Sequence, residues 1–117
     1  MLPKQNRLKK EKDFKQVFKR GKSFQDNALS LKLTENSLKV SRFSFVVGLK
    51  VSKKAFLRNK IRRRLREIVK TNLSKTKTGF DVVFIVRRGL ETKNFQELAE
   101  IVNGLFKKAK LIWICWD

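Results

Sequence analysis

The chain has 117 residues, of which 41% are hydrophobic and 34% charged, enough for one small domain with a modest core and too few for two. Its 30 lysines and arginines against 10 acids give a net charge of +20, which exceeds what solubility requires and indicates a polyanionic partner, nucleic acid first. No apolar run approaches the roughly 20 residues that span a bilayer, the basic N-terminus lacks the apolar core of a signal peptide, and a single cysteine excludes an internal disulfide, so we expect an intracellular protein.

The first predicted helix lies near the N-terminus, where a basic lead-in precedes about ten amphipathic residues. Phe14, Val17 and Phe18 share one face of this segment, and Gly21 follows as a helix cap. The two phenylalanines have two interpretations. An aromatic pair on a short helix usually packs in the core, whereas a partly exposed pair can stack on nucleobases.

Two strands are predicted next. Residues 28–34 place a leucine at every second position with polar residues between them, which is typical of a half-buried strand. Residues 40–49 alternate in the same way from Phe43 onward and predict a second strand, antiparallel to the first. The pattern leaves open whether Phe24 and its neighbours add a short edge strand.

The segment 50–67 dominates the sequence. Nine lysines and arginines occupy positions 50–66, and Glu67 is the first acid after them. If the segment is helical, its apolar residues recur at steps of three and four and form one stripe that can dock on a core. The stripe consists of Leu57, Ile61, Leu65, Ile68 and Val69.

The basic residues of this helix also have a side of their own. At roughly 100° per residue, an arc of about 140° contains Arg58, Asn59, Arg62, Arg63 and Arg66. Arginine forks donate paired hydrogen bonds to phosphate oxygens, and an asparagine amide can bond a sugar or a base edge. Only Arg63 and Glu67 offer an ion pair along the helix, so the charge is poorly compensated. The alternative is a solvated basic helix without a ligand, but charge this dense and one-sided favours a phosphate-binding surface.

The last third of the chain predicts a strand and a helix. Residues 82–86 are apolar on both faces, which indicates a strand in the middle of a sheet covered on both sides. Asn94 and Glu97 have the spacing of a capping box. The helix that follows has an apolar stripe of Phe95, Leu98, Val102, Leu105 and Phe106. We expect the apolar residues 111–117 to pack on the sheet or add an edge strand, with Cys115 in a packing role.

The sequence contains no pattern typical of a protein catalyst. It has no histidine and no Asp-x-Asp pair for two metal ions, and no catalytic triad, zinc motif, phosphate loop or dinucleotide fingerprint is recognisable. We therefore expect no catalytic residue and no metal ligand on the protein itself.

Three stretches together resemble the bacterial ribonuclease P protein component. Gly48-Leu-Lys-Val-Ser-Lys-Lys54 leads into Ala-Phe-Leu-Arg58-Asn59-Lys-Ile-Arg62-Arg63-Arg-Leu-Arg66-Glu67, which is similar to the family's Lys-Lys strand end and Arg-Asn helix. Residues 7–21 and 81–87 are similar to the family's opening and its late strand. The chain departs from the pattern in two places. Only three residues separate Lys54 from Arg58, and Leu31 stands where the family has an aromatic residue.

The resemblance implies an α+β fold, a small two-layer α/β sandwich whose mostly antiparallel central sheet carries the arginine-rich helix in a left-handed strand-helix-strand crossover. Helices are expected at the N-terminus, in the middle and near the C-terminus of one RNA-binding domain that spans residues 1–117. The left hand is an expectation from the family alone, because about 98% of such crossovers are right-handed.

The resemblance also implies a function. The protein would be a cytoplasmic subunit of ribonuclease P, whose catalytic RNA removes the 5′ leader of precursor tRNA with Mg²⁺ ions. It would bind that RNA through Arg58, Asn59, Arg62, Arg63 and Arg66, with Lys53 and Lys54 at the entrance. The leader would lie in a cleft with Phe14 and Phe18. No membrane or DNA partner is expected. A ribosomal or general nucleic-acid-binding protein is the alternative, and a free-standing nuclease is a more distant one.

Overall fold

The computed structural model describes residues 2–111. Its helices are α1 (Glu11–Arg20), α2 (Ala55–Thr71) and α3 (Phe95–Lys108). Its strands are β1 (Lys22–Asp26), β2 (Leu29–Glu35), β3 (Arg42–Val47) and β4 (Phe80–Val86). This is the α+β content expected from the sequence. Within the described range, every helix is too short or too polar to cross a membrane.

The four strands form one mixed sheet in the order β1-β2-β4-β3. The pairs β1/β2 and β2/β4 are antiparallel and β3/β4 is parallel, so the sheet is mostly antiparallel as predicted. β3 does run antiparallel to β2, but β4 lies between them. Phe24 belongs to the edge strand β1, which answers the question that the sequence pattern left open.

The helix α2 connects the parallel neighbours β3 and β4. Parallel strands cannot be joined by a tight turn, because the chain must return to the starting end of the sheet. The basic helix therefore sits in a strand-helix-strand crossover, and its left hand stays a prediction.

One face of the sheet carries the main core beneath α2 and α3. The predicted stripe of α2 is buried from Ile61 onward, and Leu57 is half-buried. In α3, the buried residues are Leu98, Ile101, Val102, Leu105 and Phe106. The prediction for Phe95 was wrong, since this side chain is 46% exposed. Periodicity assigns a residue to one side of a helix, but it does not say where along the axis the core ends.

The start of α3 is capped by hydrogen bonds between residues that are close in the sequence. The Asn94 side chain accepts a hydrogen bond from the Glu97 amide at 2.8 Å, and the Glu97 carboxylate accepts one from the Asn94 amide at 3.0 Å. The predicted capping box is therefore confirmed.

The predicted packing of the terminal segment, Cys115 included, lies outside the described residues except for Leu111, which is buried.

The opposite face of the sheet is covered in part by α1. Val17 is fully buried there against Val83 and Leu8, and Phe14 and Ile85 pack around them. β4 is thus covered on both faces, as its apolar sequence predicted. Gly21 caps α1 as expected, although its backbone is extended. A Cβ atom at this position would collide with the carbonyl oxygen of Val17, so glycine is needed for the close approach.

A partly buried ion network fastens α1 to the sheet. Arg42 donates to both carboxylate oxygens of Asp81 at 2.8 and 2.7 Å, and its third nitrogen lies 3.2 Å from Asp13 of α1. The Asn36 amide donates to the same Asp81 carboxylate at 2.9 Å. The hydrogen bonds to Asp81 raise the pKa of Arg42, so this guanidinium stays charged. The network fixes where α1 stands above β3 and β4.

Candidate nucleic-acid interface

The docking of α2 on the core turns its basic side outward. We define the arginine face as Arg58, Asn59, Arg62, Arg63 and Arg66. Asn59 and Arg63 are exposed, and the other three are half-buried where the helix meets the sheet. Because the apolar stripe of α2 is buried, all five residues stand on the side predicted from their spacing. The structure therefore brings together the residues that the sequence grouped.

Two arginines of this face are held in place by neighbouring acceptors. Arg58 donates to the Ser52 carbonyl at 2.9 Å. Arg62 donates to the Asn59 side chain at 2.7 Å and to the Val47 carbonyl at 3.3 Å. These bonds restrict long side chains, so less conformational entropy remains to be lost when a ligand binds.

The other two arginines are free of such partners. Arg63 and Arg66 have no hydrogen-bond or ion-pair partner within residues 2–111. The ion pair anticipated between Arg63 and Glu67 is not formed in the described structure, which corrects that expectation. Arg63 and Glu67 are both exposed, and an ion pair on the surface is worth only tenths of a kcal/mol. The full donor capacity of Arg63 and Arg66 is available to phosphate.

The lysine pair stands at the start of α2. Lys54 immediately precedes the helix, and its amide donates to the Ser52 hydroxyl at 3.2 Å. Lys53 is exposed and lines a shallow groove together with Lys50 and Arg88. The short link to Arg58 is therefore simply the first turn of the helix, and both lysines remain beside the arginine face.

A groove at the β3 edge extends the arginine face in a way that the sequence did not indicate. It measures about 360 Å³, is lined by no acid, and contains four cations. These are Arg7, Lys9, Arg62 and Arg66. The N-terminal segment reaches the groove because the Leu8 amide donates to the Phe43 carbonyl at 2.9 Å. This long-range contact has no signature in local spacing, so Arg7 and Lys9 were missed. We call this site the edge groove.

The two phenylalanines of α1 differ in their surroundings. Phe14 is half-buried in the small cluster beneath α1. Phe18 is 44% exposed, and the Lys32 ammonium lies 5.0 Å from the centre of its ring. Phe18 is thus the ring with free surface beside the sheet.

Polar residues of the sheet continue the surface beside α1, which we call the open sheet face. Strand register assigns to it the polar residues Gln25, Ser30, Lys32 and Ser44, together with Val46. Arg87, just after β4, also reaches it by donating to the Ser30 hydroxyl at 3.0 Å, a role its sequence position did not reveal. Leu31 does not belong here. It is fully buried on the other face, so the departure at this position does not alter the surface beside α1.

Acidic side chains do not form a metal site within residues 2–111, where no three His, Cys, Asp or Glu residues cluster. Asp13 and Asp81 do come together, but both carboxylates are bound by Arg42.

Comparison with known proteins accounts for this combination of fold and surface. A family model described as Ribonuclease P matches residues 2–110. The ribonuclease P protein component of a Pseudanabaena species is 38% identical over 113 residues, which cover 96% of this chain and 97% of that protein.

Solved structures agree with the sequence comparison. The RNase P protein of Thermotoga maritima is 35% identical and superposes with a TM-score of 0.80, covering 87% of this chain and 96% of its own. A mutant of the Staphylococcus aureus RNase P protein, described as defective in mRNA degradation, is 27% identical with a TM-score of 0.87, covering 93% of this chain and 92% of its own. Sequence and fold both place the chain in the ribonuclease P protein family, to which it belongs over nearly its whole length.

Proposed function

We propose that this ribonuclease P subunit binds the catalytic RNA of the enzyme through the arginine face and thereby assists endonucleolytic removal of the 5′ leader from precursor tRNA. The observation that carries the proposal is the edge groove. Four cations from two distant parts of the chain converge there without an acid to neutralise them. The four cations repel one another in the free protein, and a bound phosphate backbone relieves this repulsion.

The leader would lie on the open sheet face. A single strand is bound by cations that track its backbone and by aromatic rings on which its bases stack. Phe18 supplies an exposed ring, and Lys32 and Arg87 supply the cations. The Gln25 amide of β1 and the Ser44 hydroxyl of β3 would add donors and acceptors for the sugars. The arginine face and the leader surface would then hold two RNA partners on one RNA-binding domain.

The chemistry would be carried by the RNA subunit. The protein has no histidine, and the two carboxylates that meet in the described structure are occupied by Arg42. We expect Mg²⁺ to be held by RNA phosphates, with the protein screening and positioning two polyanions in the cytoplasm. Neither DNA nor a membrane is needed for this role.

Reconstitution tests this division of labour. The isolated protein should not release the leader from a precursor tRNA transcript even with abundant Mg²⁺, and adding the RNA subunit should produce cleavage, measured by gel electrophoresis. The benefit of the protein should be largest at low salt and low Mg²⁺, because counterions replace its screening.

Two outcomes would contradict the proposal. Leader cleavage by RNA-free protein that disappears on replacing one Asp or Glu would indicate a protein nuclease. Recovery of ribosomal RNA, in place of one structured RNA, from the protein purified out of its host would favour a ribosomal role.

The Phe18→Ala variant should lose leader preference. Stacking of one base on an aromatic ring is worth roughly 1 to 3 kcal/mol, so the affinity advantage of a precursor over mature tRNA should shrink by about that amount. Fluorescence titration of both tRNAs against the reconstituted enzyme measures the difference. Phe95→Ala is a matched control, because Phe95 is equally exposed but lies on α3, across the sheet from α1. Equal effects of the two variants would remove Phe18 from the leader site.

A further inference from the structure

The connection between β3 and α2, together with the first turn of α2, carries an unusual amount of exposed apolar surface. Leu49 and Phe56 are the two most exposed large hydrophobic side chains within residues 2–111, at 67% and 65%. Scattered apolar residues on a surface are ordinary, but these two flank a short segment whose other members include three lysines. Phe56 is the more informative, because its ring has a defined orientation on a helix.

The position of Phe56 on α2 directs its ring away from the core. Phe56 and Leu65 are nine residues apart, so at roughly 100° per residue they point about 180° from each other. Leu65 is fully buried beneath the helix. Phe56 therefore has no place in the packing of α2.

The same geometry places Phe56 at the border of the arginine face. Asn59 and Arg63 follow it at steps of three and seven residues, so they share its side of the helix. Lys60, at a step of four, stands on the same side. The Lys54 ammonium lies 6.0 Å from the centre of the ring. Phe56 is thus an exposed aromatic ring bordered by cations and by an amide.

We propose that Phe56 is a stacking platform for an unpaired nucleobase of the RNA bound by the arginine face. An aromatic ring among cations is the combination that binds single-stranded segments, since the ring takes the base and the cations take the flanking phosphates. This inference rests on the proposed function and adds a base contact to its phosphate contacts. A membrane fits less well, because a helix lying on lipid needs a continuous apolar face, and the neighbours of Phe56 on its side are polar or charged.

Salt dependence separates stacking from charge. Arg63→Ala should lower the slope of log affinity against log salt by about one, because one phosphate contact and its released counterion are lost. Phe56→Ala should weaken RNA binding roughly tenfold at every salt concentration and leave the slope unchanged, because stacking releases no counterion. Phe56→Trp should bind the RNA as tightly as the parent protein does. Phe56→Leu should not regain the affinity that Phe56→Ala loses, because leucine has no ring.

The experiment is filter binding of the full chain to ribonuclease P RNA transcribed from the genome that encodes it, over a series of salt concentrations. Circular dichroism should show native folding for all variants, since the ring is exposed. Phe95→Ala is the matched control and should bind normally.

Three results would overturn the inference. They are parental binding by Phe56→Ala, full recovery by Phe56→Leu, or an equal loss in Phe95→Ala. The proposed function is judged separately, by Arg63→Ala and Arg66→Ala. If these weaken binding and Phe56→Ala does not, only the stacking platform fails. If none of the three changes binding, the arginine face itself is wrong.

Discussion

Replacing Arg42 with methionine should lower the free energy of unfolding by about 3 to 5 kcal/mol, the cost of leaving a buried charge without its partner. Asp81 is only 4% exposed, and Arg42 donates two hydrogen bonds to its carboxylate. Methionine keeps much of the apolar stem of arginine but donates nothing. The Asn36 amide would remain as a single neutral donor. Urea denaturation followed by circular dichroism measures the loss.

A double-mutant cycle shows whether the ion pair is the cause. Asp81→Asn removes the buried charge, so Arg42→Met combined with Asp81→Asn should be less destabilised than the sum of the two single variants. The control is Lys15→Met, whose exposed pair with Glu11 on α1 should contribute little. Strict additivity, or an equal loss in the control, would show that Asp81 does not depend on Arg42.

The double variant Arg62→Ala/Arg66→Ala should bind the ribonuclease P RNA far more weakly, by about 1 to 3 kcal/mol for each lost contact. Both side chains line the edge groove, where no acid offsets their charge. The slope of log affinity against log salt should fall by about two, one for each released counterion. Filter binding at several salt concentrations measures both quantities.

Two controls separate position, charge and shape. Lys107→Ala/Lys108→Ala removes the same charge from the end of α3 and should have a much smaller effect. Arg62→Lys/Arg66→Lys keeps the charge but not the planar fork, so it should restore the salt slope without restoring the full affinity. If the α3 variant is as weak as the edge-groove variant, net charge rather than the groove governs binding.

Long-range packing explains where the sequence-based predictions ended. The chain order of the strands did not reveal that β4 inserts between β2 and β3, because strand order depends on backbone pairing between segments that are far apart in the chain. The position of Leu31 beneath α2 and α3 was not predicted, for a related reason. Alternation separates two faces of a strand but does not say which helices cover each face.

The sequence alone determined the features that depend on neighbours along the chain. The helical period of 50–67 decided that α2 has a buried stripe and an arginine face, because side chains three and four residues apart share a side of any helix. The Asn94 and Glu97 spacing predicted a cap that local hydrogen bonds then formed.

Only the tertiary structure decided which distant residues complete these surfaces. Arg7 and Lys9 reach the edge groove because the N-terminal segment pairs with β3, and Arg87 reaches the open sheet face through Ser30. The tertiary structure also left Phe18 exposed while Phe14 packs beneath α1, although both stand on one side of the same helix. The physical reason is common to all of them. Burial and contact across the sheet depend on how the elements pack, and spacing within one element carries no information about its partner.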